Sequence, residues 1–446
     1  MIAKYNTSGP RYTSYPTALE FDVELPDSPL HNAVLTSAGN ALSLYVHIPF
    51  CHQLCYYCGC NKIVTRHQDK ADRYLDYVQK EIAINHTWFE HQKVEQCHLG
   101  GGTPSFLTPE QMQRLVAMLK QAYTFHPECE FSIEIDPRSV DESYLAMLKA
   151  EGFNRISIGV QDVDENVQEA INRRQSTAHI QSLVRTAKQL GFSSVNLDLI
   201  YGLPHQTQES FKQTLDATLE MDPERISLFS YAHLPSRFAA QRKIKDDWLP
   251  APHAKFELMK LAIETLTSAG YVMIGMDHFA KPNDELAVAQ QQGTLHRNFQ
   301  GYTTRADLDM LGLGVSSISF IGDWYLQNAK TLNDYYGALD EHQLAIEKGV
   351  GISTDDAIRR AVIMSLMCNL KVDKEIINQT YEIDFDHYFK AEVALLQPFI
   401  DDGLVTISNS QISVVASARL LIRTICMVFD AYMGLAKNHQ RFSRVI

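Results

Sequence analysis

Four of the eight cysteines, Cys51, Cys55, Cys58 and Cys60, fall within ten residues, and the other four are scattered along the chain. A disulfide framework would spread its cysteines and would normally belong to a small secreted chain. A tight group of thiols in a chain of 446 residues instead predicts a metal or redox site. We expect the scattered cysteines to be buried small hydrophobic residues.

The spacing Cys51-x₃-Cys55-x₂-Cys58 suits an iron–sulfur cubane. Three thiolates can ligate three of its irons and leave the fourth without a protein ligand. Such an iron can chelate the amine and carboxylate of S-adenosylmethionine (SAM) beside the cluster, ready for one-electron reduction. A structural zinc site completed by Cys60 is the alternative, because zinc takes four ligands. Cys58-Gly59-Cys60 would make that site cramped, and no second cysteine pair occurs elsewhere.

A glycine run, Gly100-Gly101-Gly102-Thr103-Pro104, follows the second predicted strand. Glycines allow backbone N–H groups to approach a carboxylate closely. A simple tight turn is the alternative explanation. The functional interpretation therefore depends on the position of the glycines directly after the second strand.

These residues must be positioned by alternating strands and helices. Short apolar runs predict strands at 42–48, 94–99, 130–135, 155–160, 194–200 and 225–231. Amphipathic stretches between them predict helices that include 69–89, 109–123 and 210–220. This alternation favours parallel strands with helical crossovers. Six units are too few to close an eight-unit barrel, so we expect an α/β fold based on a partial (β/α)₆ TIM-like barrel.

Polar and apolar side chains alternate within these strands, which places the polar ones on one face. The polar members are Tyr45, His47, Ser132, Glu134, Asp136, Ser157, Gln161, Asn196 and Asp198. Parallel α/β folds place ligands at the carboxyl ends of their strands. A face that merely meets solvent is the alternative, but helices normally cover the outside of a parallel sheet.

The chain is predicted to have three parts. Residues 1–40 contain four prolines and little periodicity, and they predict an N-terminal arm. Residues 41–350 hold the barrel and its extension, with further strand-like runs at 271–276 and 311–321. Residues 351–446 predict a mainly helical C-terminal domain with a small hairpin from 404–407 and 412–415.

Composition limits the possible functions. The net charge of −13 argues against a nucleic-acid partner, because phosphate backbones are bound through excess Lys and Arg. No run approaches the ~18 apolar residues of a membrane helix, and the first residues lack the pattern of a signal peptide. We therefore expect a cytoplasmic protein that acts on a small molecule.

The motif Cys-x₃-Cys-x-aromatic-Cys, with Tyr57 as the aromatic residue, is similar to the radical SAM signature. The glycine run lies where that superfamily binds the methionine end of SAM. The chain further resembles the oxygen-independent coproporphyrinogen III oxidases (coproporphyrinogen dehydrogenases) along essentially its whole length. The stretches that carry this resemblance are 4–17, 45–51, 58–61, 275–280, 296–303 and 442–446.

The resemblance implies a monomer with a [4Fe-4S] cluster held by Cys51, Cys55 and Cys58, and two SAM molecules. Residues matched to the first SAM are Tyr45, Gly101, Glu134 and Ile318. Residues matched to the second SAM are Tyr57, Gly102, Thr103, Gln161, Arg173, Asp198 and Ala232. The candidate catalytic residues are Cys60, Tyr45 and His47. For Arg173, a solvated helix charge is the alternative.

The implied reaction, which belongs to heme biosynthesis, converts two propionates of coproporphyrinogen III into vinyl groups and gives protoporphyrinogen IX. A 5′-deoxyadenosyl radical made from SAM at the cluster would abstract hydrogen. The electron would come from a low-potential donor, flavodoxin- or ferredoxin-like. Because the chain is acidic, local cations such as Arg11, Arg297 or Arg305 must offset its field around a tetracarboxylate substrate. A heme-binding chaperone and a radical SAM RNA-modifying enzyme are the alternatives.

The arm contains Tyr5, Arg11, Tyr12 and Tyr15, in a stretch with too little periodic apolar content to fold alone. We expect it to fold across the open side of the partial barrel when substrate arrives, and so to shield a reactive intermediate from water. A frayed terminus without function is the alternative.

Overall fold

The computed structural model describes residues 2–5, 7–39, 41–306 and 308–433. The chain divides into two compact units, each assembled from separate stretches of sequence. We call Asp22–Tyr271 and Asp307–Gly349 the sheet unit. We call Met1–Phe21, Val272–Ala306 and Val350–Ile446 the helical unit.

Strands and helices alternate through most of the described residues. The strands are β1 (Ala41–Ile48), β2 (Phe50–Cys51), β3 (Ile63–Val64), β4 (Lys93–Gly101), β5 (Thr124–Ile135), β6 (Arg155–Gln161), β7 (Ser194–Tyr201), β8 (Arg225–Ser230), β9 (Val272–Gly275), β10 (His278–Ala280), β11 (His296–Asn298), β12 (Gly301–Thr303), β13 (Asp309–Leu313), β14 (Ile318–Ile321), β15 (Trp324–Asn328), β16 (Ile346–Gly351), β17 (Lys371–Asp373), β18 (Val405–Ile407) and β19 (Gln411–Val414). The α-helices are α1 (Ile2–Tyr5), α2 (Pro29–Thr36), α3 (Asp69–Asn85), α4 (Pro109–Ala122), α5 (Glu142–Ala150), α6 (Glu165–Ala170), α7 (Thr177–Gln189), α8 (Gln208–Met221), α9 (Pro252–Ser268), α10 (Glu285–Gln292), α11 (Leu332–Asp340), α12 (Thr354–Asn369), α13 (Lys374–Tyr381), α14 (Phe385–Tyr388), α15 (Lys390–Leu395), α16 (Gln397–Asp401) and α17 (Ile422–Cys426). Short 3₁₀ turns occur at His86–Phe89, Pro104–Phe106, Pro137–Ser139, Ala239–Lys243, Asp246–Trp248, Ala416–Leu421 and Met427–Phe429.

The strands of the sheet unit run in the order β16-β15-β14-β13-β1-β4-β5-β6-β7-β8. Strands β1, β4, β5, β6, β7 and β8 pair in parallel with their neighbours, and each corresponds to a predicted strand. On its other side β1 pairs with β13, which is also parallel to it. Strand β8 therefore does not pair with β1, and the six parallel strands do not close a ring. The predicted open α/β arrangement of six parallel strands is confirmed.

The crossover helices have local signals that fix where they begin. At the start of α4, the Thr108 side chain accepts a hydrogen bond from the Gln111 backbone N–H, and the Gln111 side chain accepts one from the Thr108 backbone N–H. Pro109 occupies the first turn. The same reciprocal capping by Thr207 and Ser210 begins α8. The predicted helices at 69–89, 109–123 and 210–220 are thus confirmed, the first ending in a 3₁₀ turn.

The run at 311–321 forms two strands rather than one. β13 and β14 pair antiparallel, and the chain reverses through Gly314 (φ 95°) and Ser316 (φ 60°). Glycine adopts the left-handed region at little cost, so Gly314 permits the turn. The turn was not predicted because both strands are largely buried, so together they look like one apolar run in the sequence.

The helical unit is built around α12, whose buried residues include Ile358, Val362, Ile363 and Leu366. The predicted hairpin is present as β18 and β19, and β17 adds a third strand beside β19. Among the described residues, no helix is both long enough and apolar enough to cross a membrane.

The start of the arm belongs to the core of the helical unit. Tyr5, Tyr12 and Tyr15 are all buried there. Tyr5 stacks on Phe399 with ring centroids 4.6 Å apart, and the Tyr12 hydroxyl donates to Asp430 at 2.9 Å. The expectation of an arm that folds only when substrate arrives is therefore wrong for these tyrosines. Each tyrosine ring buries a large apolar area, so the arm can pack without a periodic pattern of apolar residues in its sequence.

Candidate active site

The cysteine loop begins where β1 ends. Strand β2 pairs in parallel with β3, which places the residue Cys51 opposite Val64. Cys51 and Cys55 are buried, Cys58 is partly buried and Cys60 is exposed, and all four thiols are free. Burial raises the pKa of Cys51 to about 11, although the hydroxyl of Thr103 donates to its sulfur at 3.2 Å.

Two arginines point at the sulfur of Cys55. Arg173 Nη1 and Arg138 Nη2 lie 3.4 Å and 3.5 Å from Cys55 Sγ. Both arginines also bind Asp136, with Arg138 Nη2 at 2.6 Å and Arg173 Nη1 at 3.2 Å from its Oδ2. Burial acts to raise the pKa of Asp136, but the cations of Arg173 and Arg138 outweigh it and lower that pKa to about 2. Asp136 is therefore a carboxylate that neutralises part of the charge beside Cys55.

Cys58 also has a thiolate-favouring environment. The backbone N–H of Cys60 lies 3.4 Å from Cys58 Sγ, and Lys62 Nζ donates to the Cys58 carbonyl at 3.1 Å. A hydrogen bond from the Cys60 side chain lowers the pKa of Cys58 to about 6, with burial opposing it and Lys62 assisting. The same hydrogen bond raises the pKa of Cys60, so Cys58 is the ligand-like member of this pair.

The surroundings of these sulfurs suit the thiolate ligands of an iron–sulfur cluster. The sulfurs of Cys51, Cys55 and Cys58 each have a hydrogen-bond donor nearby. Hydrogen bonds to cysteine sulfurs stabilise the electron-rich thiolates of iron–sulfur clusters. Iron binding would displace the proton that burial retains on Cys51.

The glycine run lies directly beside the cysteine loop. A Cβ on Gly101 (φ 115°) would meet the His47 ring at 2.6 Å, and one on Gly102 would meet the Pro49 backbone at 2.8 Å. The Gly101 N–H points to Glu134 Oε2 at 3.3 Å. Glycine is required here because β1 and β4 approach each other closely at their carboxyl ends.

Tyr45 and His47 contact each other on β1, and Ile318 approaches the neighbouring strand β13. The Tyr45 hydroxyl lies 3.1 Å from His47 Nδ1, and His47 Nε2 lies 3.2 Å from the Asn61 carbonyl. Burial lowers the pKa of His47, which favours the neutral ring. Tyr45 pairs with Gly312, and a Cβ at that glycine would meet the Ile318 carbonyl at 2.6 Å. The missing side chain lets Ile318 approach Gly312, the residue paired with Tyr45.

The residues expected for a second SAM follow the strands further across the sheet. Gln161 ends β6 with φ 66°, and a Cβ on Gly159 would meet Gln161 Nε2 and Arg173 Nη2 at 2.8 Å. Asp198 on β7 accepts from Ser157 at 3.0 Å. Arg173 is buried and donates to the Gly159 carbonyl at 2.7 Å, so it is not a solvated helix charge.

Tyr57 and Ala232 are joined by a residue that sequence reasoning missed. Gln241 Nε2 donates to the Tyr57 carbonyl at 2.9 Å and to the Ala232 carbonyl at 3.2 Å. It is buried in a 3₁₀ turn after β8. No pattern in the sequence marks this glutamine, because its role depends on contacts far along the chain.

Arg138 and His98 were also missed as site residues. The strand pattern placed Asp136 on the polar face with Ser132 and Glu134, but assigned it no role in the site. His98 Nδ1 lies 2.7 Å from the Ser132 hydroxyl, and its Nε2 lies 3.6 Å from Glu134. Arg138 gives no signal in sequence, because only the fold shows its distance from Cys55.

The three cations suggested for the substrate lie in the helical unit. Arg11 lies 3.6 Å from Asp277, and the Arg297 guanidinium stands over the Tyr302 ring at 4.6 Å. Burial acts to raise the pKa of Asp277, but His278, Arg297 and Arg11 lower it overall. Arg297 is buried with Nε and Nη1 lacking a partner among the described residues, whereas Arg305 is exposed. Arg297 thus has donors to spare.

Comparison with known protein families identifies two segments of the chain. Residues 45–218 match the Radical SAM superfamily, and residues 352–421 match the HemN C-terminal domain. The oxygen-independent coproporphyrinogen III oxidase of Salmonella typhimurium is 53% identical over 446 residues, covering 100% of this chain and 98% of the relative. The protein of that name from Pseudomonas aeruginosa is 48% identical over 452 residues, with the same coverage. The solved structure of coproporphyrinogen III oxidase (HemN) from Escherichia coli, described as a radical SAM enzyme, superposes with a TM-score of 0.93 at 52% identity, covering 95% of this chain and 97% of that one.

Proposed function

The chain belongs to the oxygen-independent coproporphyrinogen III oxidase family of radical SAM enzymes, and we propose that Cys51, Cys55 and Cys58 hold its cluster. The single observation that carries this assignment is the set of donors around the three sulfurs, Thr103, Arg173 with Arg138, and the Cys60 N–H. Cys60 is exposed and donates to Cys58, which supports a role other than ligation.

The protein is an oxidoreductase of heme biosynthesis. Its reaction is the anaerobic oxidative decarboxylation of coproporphyrinogen III, in which two propionates become vinyl groups and protoporphyrinogen IX is formed. A [4Fe-4S] cluster and SAM, when bound, supply a one-electron reduction and a hydrogen abstractor stronger than any side chain. The residues of this chain bind and orient these groups.

We propose that a first SAM is held by Tyr45, Gly101, Glu134 and Ile318. The Gly101 N–H and the Glu134 carboxylate already face each other at 3.3 Å, and together they offer a donor and an acceptor to an amino acid moiety. The exposed fraction of the Glu134 side chain is 47%, so it can exchange this contact for a ligand. Ile318 is half-buried and lies next to Gly312, the residue paired with Tyr45.

We propose that a second SAM lies against Tyr57, Gly102, Thr103, Gln161, Arg173, Asp198 and Ala232. Support comes from Arg173, whose Nε has no partner among the described residues although the side chain is buried. An orphaned donor on a buried cation favours an anionic ligand group, because an unmet buried donor costs about 1–3 kcal/mol. Asp198, reached through β7, supplies an acceptor for a hydroxyl or amine.

Cys60, Tyr45 and His47 are proposed as the residues that touch reacting atoms. His47 is held by its two neighbours with Nε2 toward the Asn61 carbonyl, which fixes the proton on Nε2 and leaves Nδ1 to accept from Tyr45. The Cys60 thiol keeps its proton, because its hydrogen bond to Cys58 raises its pKa. Each of these groups therefore holds a proton at a defined atom beside the cysteine loop.

Partners and location are part of the proposed function. We propose a monomeric cytoplasmic enzyme that receives electrons from a flavodoxin- or ferredoxin-like donor. Eight free cysteines suit a reducing compartment. Among the candidate substrate cations, Arg297 is favoured, because its spare donors can pair with a propionate.

The assay is anaerobic incubation of the reconstituted enzyme with coproporphyrinogen III, SAM and dithionite. We expect protoporphyrinogen IX with two CO₂ per substrate, and no product from the Cys51→Ser variant. Cys129→Ala is the matched control, because this buried cysteine lies on β5 away from the cysteine loop. Absence of vinyl products from an enzyme with full iron content would refute the proposed function.

A further inference from the structure

The outer side of the cysteine loop borders a surface depression of about 680 Å³. Its lining includes His52, Gln53 and Leu54, which lie between Cys51 and Cys55 in the sequence. Arg66, Lys70 and Asn172 also line it. The depression therefore borders the segment that joins two proposed cluster ligands.

The walls of this depression are bonded directly to the backbone of the cysteine loop. The Thr65 N–H donates to the Cys51 carbonyl at 3.0 Å, and Asn172 Nδ2 donates to the Leu54 carbonyl at 2.8 Å. The Thr65 bond thus links the wall of the depression directly to Cys51, a proposed cluster ligand. A molecule seated here would lie close to the cluster without touching the glycine run.

The depression is positively charged in a chain whose net charge is −13. Arg66 and Lys70 are both exposed, and neither forms an ion pair with any residue that the structure describes. His67 has Asp69 at 3.9 Å, which offsets part of the charge at that edge. Two unpaired cations beside a buried redox site favour a negatively charged partner.

We propose that this depression is the docking surface for an acidic one-electron carrier protein, with Arg66 and Lys70 as its steering contacts. The proposal rests on the proposed function, because it requires a cluster on Cys51, Cys55 and Cys58. The reduced carrier loses one electron and the oxidised cluster gains one, with no bond formed or broken. Electron-transfer complexes bury small interfaces and depend on charge for their association rate, which suits a shallow polar depression.

The test is stopped-flow reduction of the anaerobic holoenzyme by a recombinant acidic flavodoxin in its fully reduced form. The charge-reversal variant is Arg66→Glu with Lys70→Glu. The matched control is Arg185→Glu with Lys390→Glu, which changes the net charge equally at two exposed cations without described ion pairs. Dithionite serves as a small reductant that needs no docking surface.

We expect the charge-reversal variant to be reduced by flavodoxin about tenfold more slowly at low salt, because steering raises association rates by roughly 10–10³. The difference should shrink as salt is raised. Iron content and reduction by dithionite should stay unchanged, as should both rates in the control.

Equal flavodoxin rates for the two variants would overturn the docking proposal while dithionite-driven turnover still supported the function. Loss of iron from the charge-reversal variant would be resolved by Arg66→Gln with Lys70→Gln, for which we expect a smaller slowing with full iron. A Gln variant that is fully loaded with iron and reduced by flavodoxin at the unaltered rate would also overturn it.

Discussion

Two arginines, one in each unit, are equally buried but are satisfied in different ways. Arg173 of the sheet unit and Arg423 of the helical unit are both 5% exposed. Arg173 faces a carboxylate and a thiol, Asp136 and Cys55, and its Nε remains without a described partner. Arg423 donates to the carbonyls of Gly9 and Pro10. The first arginine has capacity for a ligand, and the second ties the arm to the unit.

The pKa values of these two arginines move in opposite directions because their neighbours differ. Burial lowers the pKa of both guanidinium groups, and for Arg423 the neighbouring Arg11 lowers it further, to about 10. At Arg173 the nearby Tyr57 and Asp136 outweigh burial and raise the pKa. A buried charge with acidic neighbours therefore marks the site, whereas one held by neutral carbonyls marks a structural contact.

Replacing the cysteines tests the sheet-unit side of this comparison with the largest expected effect. Cys51→Ser, Cys55→Ser or Cys58→Ser should each abolish the cluster absorbance and SAM cleavage, because each removes one of three ligands. Cys60→Ser should retain iron and the cluster spectrum. Iron analysis and visible absorbance measure both outcomes. Equal iron loss from Cys60→Ser would indicate four-cysteine ligation and contradict the open-iron site.

Removing the arm tests the helical-unit side. Deletion of residues 1–17 should destabilise the helical unit by more than the single variant Arg423→Met, because it removes the buried rings of Tyr5, Tyr12 and Tyr15. Loss of one large buried aromatic side chain costs about 3–5 kcal/mol. Arg423→Met should cost about 1–3 kcal/mol through unpaired carbonyls.

Urea unfolding followed by near-ultraviolet circular dichroism measures both arm variants. Leu35→Ala is a suitable control, since Leu35 is exposed at 71% and should shift stability little. An unchanged unfolding midpoint after deletion would mean that the arm tyrosines add nothing to the core.

Arg138 sharpens the comparison, because it shares Asp136 and Cys55 with Arg173. Arg138→Gln removes a cation and a donor from the Cys55 sulfur, so the oxidised cluster should be favoured. We expect a tenfold change in the reduction equilibrium, about 59 mV for one electron. Redox titration followed by electron paramagnetic resonance measures it. Arg174→Gln, whose partner is the exposed Glu169, is the matched control, and an equal shift there would exclude a specific role for Arg138.

Glu134→Ala tests SAM binding, with an expected effect of the same size as that of Arg138→Gln. Glu134→Ala should weaken SAM binding about tenfold while sparing the cluster, because one charge-assisted hydrogen bond contributes about 1.5–3 kcal/mol before solvent exposure reduces it. Anaerobic titration with SAM measures the affinity. Glu130→Ala on the same strand, where Glu130 pairs with Arg155, is the control. Unchanged SAM affinity would remove Glu134 from the site.

The parallel strands, their polar face and the cysteine and glycine motifs can all be predicted from local sequence patterns. Strand periodicity is local, so alternation alone placed Glu134, Gln161 and Asp198 on one face. The cysteine spacing is likewise local, because one short loop supplies all three proposed ligands. Thr108 and Thr207 begin their helices through bonds to residues only three positions away.

The distant groups that surround those motifs are visible only in the folded chain. Arg138 lies 83 residues from Cys55, and Gln241 lies 184 residues from Tyr57, yet each donates to its partner directly. The arm is the sharpest case, because Tyr12 and Asp430 are 418 residues apart. A buried polar group must find a partner wherever the fold provides one, so its partner depends on packing rather than on sequence neighbours.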